Sequence, residues 1–299
     1  MSWALGLLGL LGAVTLGAAG NLLYEILKNR SRQLPRTIRA QRRLPAAVRS
    51  YDSRTDGLHS LVTWSKSRPL LADRLDTRFA GKISRSHAFD VPEWHAEVEG
   101  QRTQGVGGRT CYLVRIDVDH GEHPAGQRCG LTLAESDYAE ALATMTLFQR
   151  DEDSAKRLTD ALDAGSSYLL GVVPPTLLFV SVVVLSRTGK FLVLRRSSIV
   201  YTGQNKWTVG INETMKYDDE PGRQEDLFGL VRRGLREEVG LDASTYGDIA
   251  ITWLGWSNPA AGFVGVALVR TSLSEAEVDQ LRNACHSVYE HDMTAWLCP

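Results

Sequence analysis

The sequence predicts an α/β fold of the α+β kind, carried on a membrane anchor. Three observations predict the fold. Residues 176–185 (TLLFVSVVVL) are uncharged and rich in β-branched types, the pattern of a buried strand. Residues 190–196 (KFLVLRR) follow across an Arg187-Thr188-Gly189 turn and complete a hairpin. Leu227, Phe228, Val231 and Leu235 then recur at helical spacing and give an amphipathic helix.

Composition bounds the function classes. The chain has 299 residues, room for two domains of roughly 100–200 residues each. An apolar share of 43% with 34 basic against 35 acidic residues excludes a wholly disordered chain, a collagen, a histone-like polycation and a polytopic membrane protein. Cys111, Cys129, Cys285 and Cys298 are scattered without a CxxC, which excludes a disulfide-dense scaffold and predicts free thiols.

The first element is the uncharged stretch Ser2–Tyr24. As a helix it is ~35 Å long, enough for a hydrocarbon core of ~30 Å. Trp3 and Tyr24 sit near its ends, where interfacial aromatics belong. Eight basic residues and no acidic ones lie between Lys28 and Arg49, so the rest of the chain carries −9. Positive charge on the C-terminal side of the span predicts a single-pass anchor in the cell membrane with the bulk of the chain cytoplasmic. Ala18-Ala19-Gly20 resembles a signal-peptide cleavage site, but the residues before the apolar run carry no Lys or Arg. The basic stretch suits anionic lipid head groups. Nucleic acid is not expected as a partner, because no stacking aromatic is interleaved with these charges before Tyr51.

The expected organisation is an anchor over 1–27, a basic linker over 28–49, an α+β region over 50–168 and a second domain over 169–299. In the α+β region, Tyr112–Val118 alternates as a strand, and Leu133–Arg150 has helical apolar spacing. Gly105-Val106-Gly107-Gly108 reads as a turn, as do Asp117, Asp119 and His120 at the strand end. No constellation in this region carries chemistry.

In the second domain, Lys206–Gly210 reads as a strand entering a turn. Asp218-Asp219-Glu220-Pro221 predicts the start of the amphipathic helix, which ends at Val239 with Gly240 beyond it. Arg233, Arg236, Glu237 and Glu238 fall near its C-terminal end. On an α-helix, 234, 237 and 238 share one face. Clustered carboxylates there make a hard, oxygen-rich site for Mg²⁺ or Mn²⁺. Position 234 is Gly, so two carboxylates remain on the helix, and Glu213 and Glu225 are the candidates for a third. The bland alternative is a solvated helix end with Arg233 pairing to Glu237. His286, Glu290 and His291 near Cys285 read as polar surface rather than as a metal site.

Glu225, seven residues, then Arg233-Gly-Leu-Arg-Glu-Glu-Val-Gly-Leu241 resembles the signature of the Nudix family. Glu225, Arg233, Leu235, Glu237, Glu238, Gly240 and Leu241 match it at the correct spacing. The hairpin, the Lys206-Trp207-Thr208 strand and Ala295-Trp296-Leu297 also look like parts of that fold. Three positions depart: Gly234 stands where the first Glu of the R-E-U triplet belongs, Asp219 where the leading Gly belongs, and Gly210-Ile211-Asn212 where Pro-Gly-Gly is usual.

The resemblance implies a mixed-sheet α/β/α sandwich over 169–299 and divalent-metal-dependent hydrolysis of a nucleoside-diphosphate-linked substrate. It implies Glu237, Glu238 and Glu225 as ligands of Mg²⁺ or Mn²⁺. Glu237, Glu238 and Arg233 would be the catalytic set, with Arg233 orienting the carboxylates. The alternative implied by Gly234 is a catalytically degenerate domain that binds a nucleotide as a sensor.

Overall fold

The computed structural model describes residues 58–64, 69–82, 91–119, 128–150, 153, 175–198, 204–218, 223–257, 262–285 and 290–298. The expected membrane span and basic linker lie outside these residues. Among the described residues no helix is long and apolar enough to cross a membrane.

The strands are β1 (Leu58–Thr63), β2 (Leu75–Phe79), β3 (Arg109–Asp119), β4 (Arg128–Asp137), β5 (Leu177–Leu185), β6 (Phe191–Arg196), β7 (Trp207–Val209), β8 (Ile211–Thr214), β9 (Ala250–Ser257), β10 (Gly262–Arg270) and β11 (His291–Leu297). The helices are α1 (Pro92–Thr103), α2 (Tyr138–Arg150), α3 (Leu227–Gly234) with a π-helical extension over Leu235–Val239, and α4 (Glu275–Asn283).

The uncharged run forms β5, in the interior of an eight-stranded mixed sheet ordered β1-β9-β10-β5-β6-β11, with β7 on β6 and β8 on β5. β5 and β10 are parallel, and their other pairings are antiparallel. Alternation explains the composition of β5. Leu178, Val180, Val182 and Val184 join the main core under α3, while Val183 and Leu185 face a second apolar cluster with Phe191, Val193, Val264 and Val266. Both faces are covered, so both sets of positions are apolar.

Within 50–168, β1 joins the larger sheet beside β9, while β2, β3 and β4 form a separate three-stranded sheet ordered β2-β4-β3, with α1 and α2 packed together. The smaller sheet is joined to the larger one by main-chain pairing beyond β8: Cys111 N donates to Met215 O at 3.3 Å, and Tyr217 N donates to Arg109 O at 3.3 Å. Thr110 Oγ1 also donates to Met215 O at 2.6 Å. Leu113, Leu131, Leu133 and Phe148 of this region share one core with Trp256 and Phe263 of the larger sheet. Phe148 and Phe263 meet Trp256 edge-on, at ring separations of 5.7 and 5.1 Å.

Two predicted boundaries move. The helix expected over Leu133–Arg150 starts at Tyr138, because Leu131 and Leu133 belong to β4, paired with Ile116 and Leu113 of β3. Asp137 starts it: its Oδ1 accepts from Ala139 N at 2.7 Å, while Glu140 Oε2 accepts from Asp137 N at 3.1 Å. The helix expected from Asp218–Pro221 begins at Leu227 instead. Asp226 is its N-cap, with Oδ1 accepting from Gly229 N at 2.7 Å. Asp117 and Asp119 are strand residues of β3 rather than turn residues.

Candidate functional site

Three elements meet at the end of α3. β8 is held beside β5, with Glu213 opposite Val180 and Ile211 opposite Val182. Gly210 makes the turn into β8 at φ +65°, and a Cβ there would overlap the Val182 carbonyl. Glycine is therefore required by both conformation and space. Along β8, Ile211 and Glu213 point towards α3, whereas Asn212 accepts from Ser181 Oγ at 2.5 Å and donates to Thr208 Oγ1 at 2.8 Å.

α3 does not end as a regular α-helix. Leu235–Val239 form a π-turn, and Gly240 closes it at φ +76°. The extra residue breaks the face that a regular helix would present at 234, 237 and 238. The Glu237 side chain is 43% exposed and the Glu238 side chain only 4%. The two adjacent carboxylates therefore occupy different environments, contrary to the single face expected from α-helical spacing.

Arg233 ties the region together. Its Nε donates to Glu225 Oε2 at 2.9 Å, Nη1 to Glu213 Oε2 at 2.8 Å, and Nη2 to the Thr214 carbonyl at 3.0 Å. Glu237 Oε2 lies 3.8 Å from Nη1. The guanidinium is buried, and burial alone would lower its pKa. Glu213, Glu225 and Glu237 more than offset that and hold it above its ordinary value. Glu225, expected as a metal ligand, is held by this guanidinium in the structure.

Glu238 faces inward. Its carboxyl titrates well above the usual carboxylate range, first because of burial and then because Glu213 and Glu290 are close. Burial also raises Glu213, partly offset by Arg233 and Lys216. Glu238 Oε2 is buried with no hydrogen-bond partner.

Opposite it, His291 at the start of β11 is 1% exposed, not the polar surface expected from sequence. Its Nδ1 lies 3.3 Å from Glu238 Oε2. This is proximity rather than an ion pair, because burial, Arg196 and Arg282 push the ring pKa down to about 3 and leave it neutral. Arg282 Nη2 donates to the His291 carbonyl at 2.6 Å, fixing the start of β11 against α4. The sequence offers no sign of this burial, because only the antiparallel pairing of β11 with β6 brings His291 to the end of α3.

The position expected to carry the missing carboxylate is also occupied. A Cβ built on Gly234 would collide with Glu213 Cγ and lie 2.9 Å from Ile211 Cδ1. The Glu213 side chain fills the volume that a side chain at 234 would enter.

The donor set suits a hard divalent cation: carboxylate oxygens, one of them buried without a hydrogen bond. Among the described residues no three His, Cys, Asp or Glu side chains form a metal-binding group. A Mg²⁺-type ion does not need three, since it is commonly held by one or two carboxylates with waters and substrate phosphates completing its shell.

No family model and no curated protein matches the chain. Among solved structures it is similar to the MutT protein from Methanosarcina mazei Go1, at 24% identity and TM-score 0.30, over 41% of this chain and 77% of that one. It is also similar to DR0079 from Deinococcus radiodurans, at 16% identity and TM-score 0.32, over 42% of this chain and 68% of that one. Likeness at this level assigns no activity, and the functional reading rests on the site.

Proposed function

We propose that this chain is a Nudix-like hydrolase that cleaves a diphosphate bond in a nucleoside-diphosphate-linked metabolite with the help of Mg²⁺ or Mn²⁺. The observation that carries this reading is the Arg233 clamp on Glu213, Glu225 and Glu237 beside the inward-facing Glu238. A divalent cation bound there would neutralise diphosphate charge and make water a better nucleophile. The protein's part is to hold the carboxylates. Arg233 fixes Glu213 and Glu225 by paired donors, and the π-turn turns Glu238 inward. Ser2–Tyr24 would tether this body to the cell membrane with its bulk on the cytoplasmic side, and a nucleotide-type small molecule is its expected partner.

The test is a screen of nucleoside-diphosphate compounds with the full chain in detergent and Mg²⁺ or Mn²⁺. The expected result is turnover that disappears when Glu237→Gln and Glu238→Gln are combined. Turnover that survives both changes would remove the proposed metal role.

Gly234 favours a second reading, a nucleotide-binding sensor without catalysis. Calorimetry showing nucleotide binding by the full chain, with no turnover in the same screen, would favour it over hydrolysis.

A further inference from the structure

We propose that the outer face of the smaller sheet binds a phosphate monoester at Arg74 and Arg128, over a floor left open by Gly130. The site shares no residue with the end of α3, since its lining runs only from Asp73 to Thr132, and it stands whether or not that end hydrolyses a diphosphate.

Three observations carry it. The first is a cavity of about 390 Å³ on β2, β4 and β3, within the range of small-molecule sites. Strand register builds it. Leu131, Leu133 and Ile116 face the core. Side chains alternate, so Asp76, Gly130 and Asp117 form one row across the outer face, and Arg78, Thr132 and Arg115 form the next. β2 and β3 stand about 10 Å apart across β4, so the two charged strands wall a trough floored by the central one.

The second is charge. Asp76 and Asp117 are each held by the arginine two positions away: Arg78 Nε donates to Asp76 Oδ2 at 3.0 Å, and Arg115 Nε donates to Asp117 Oδ1 at 2.8 Å. Arg74 and Arg128 line the same cavity, and among the described residues neither guanidinium has an ion pair or hydrogen bond. Leu75 pairs with Cys129, so Arg74 and Arg128 precede neighbouring positions at the same end of the sheet. Like charges set side by side repel, and an anion between them removes that cost. A phosphate monoester, at nearly two negative charges, matches two guanidinium forks better than a carboxylate does.

The third is Gly130. It is extended in the central strand, and a Cβ there would meet only Asp117, at ordinary contact distances of 3.5 Å and beyond. Unlike Gly210, it is required neither by conformation nor by protein atoms. Glycine weakens a strand interior, and it occurs where a ligand comes close to the backbone. Both contacts of Arg78 go to Asp76 Oδ2, which leaves Oδ1 and the Thr132 hydroxyl for hydroxyl groups of the ester.

The test is calorimetric titration of the full chain in detergent with glycerol 3-phosphate, in a chelator so that no divalent cation carries the phosphate. Circular dichroism melts check that each variant folds. The wild type should bind glycerol 3-phosphate and not glycerol. Arg74→Ala combined with Arg128→Ala should weaken binding by at least about tenfold, the scale of a lost hydrogen bond to a charged group. Gly130→Val keeps every charge and suits a strand, and it should weaken binding as much by filling the floor.

Dihexanoyl phosphatidic acid presents the same monoester on a lipid. Binding of that probe alone, lost in both variants, would assign the cavity to a lipid head group, whereas binding of glycerol 3-phosphate assigns it to a free ester. Wild-type protein that binds neither probe, glycerol that binds as well as its phosphate, or affinity unchanged in either folded variant would each overturn the proposal.

Discussion

Arg233 Nη1 donates to Glu213 Oε2 at 2.8 Å, joining α3 to β8 across twenty residues of sequence. The same guanidinium spans Glu225 and the Thr214 carbonyl. A planar fork can do this, and a point-charge ammonium cannot. Breaking such a buried pair leaves an uncompensated carboxylate, at a cost of about 3–5 kcal/mol. Arg233→Ala should therefore lower the Tm on the order of 10 °C, and Arg233→Lys should recover only part of it. Calorimetric melts of the full chain check this. Equal stability of all three proteins would mean that the clamp is not structural.

Gly210 lets β8 approach β5. Gly210→Ala would place a Cβ against the Val182 carbonyl in a left-handed backbone conformation. The strain alone is about 1–3 kcal/mol, and the overlap adds to it. Denaturant unfolding should show a lower midpoint for the variant, and an unchanged midpoint would contradict the role of this turn.

Glu275, at the start of α4, accepts from Ser186 Oγ at 2.6 Å and from Thr188 Oγ1. These bonds hold its carboxyl down to about 2, below the ordinary value of 4.5. A depressed carboxylate stabilises the fold above its unfolded pKa, and that contribution is lost as pH falls through the folded value. Stability should drop between about pH 4.5 and 2 for this reason, and Glu275→Gln should flatten that part of the curve. Thermal melts across this range in both proteins make the comparison. Identical slopes would contradict the assignment.

The cysteines should react in a fixed order. Burial pushes the Cys111 and Cys129 thiols up to about 12, whereas Cys298 is exposed. Only the thiolate is nucleophilic. Alkylation at pH 8 should label Cys298 first and reach Cys111 and Cys129 only on unfolding, as peptide mass mapping would report. Rapid labelling of Cys111 in the folded protein would contradict the burial of β3.

Much of this was legible in the sequence because it is local. The uncharged run of β5, its hairpin with β6 and the apolar stripe of α3 follow from patterns within single elements. Gly240 as the helix stop follows from its place after the last apolar position. The π-turn was not legible, since inserting one residue leaves the apolar spacing of Leu227–Leu235 unchanged. It nevertheless separates the environments of Glu237 and Glu238. The burial of His291 and the meeting of Glu213 with Gly234 depend on strand pairing between distant segments, which no local periodicity encodes. In the sequence Glu213 stands out as a candidate third carboxylate after the Trp207 strand. Its pairing with Arg233 and its place beside Gly234 come from the packing of β8 against α3.

The most direct test is release of product from a nucleoside-diphosphate substrate by the full chain, with Mn²⁺, with a chelator, and with Glu238→Gln. The account predicts turnover with Mn²⁺, none with the chelator, and a rate lower on the order of 100-fold in Glu238→Gln. Undiminished turnover in Glu238→Gln would contradict it.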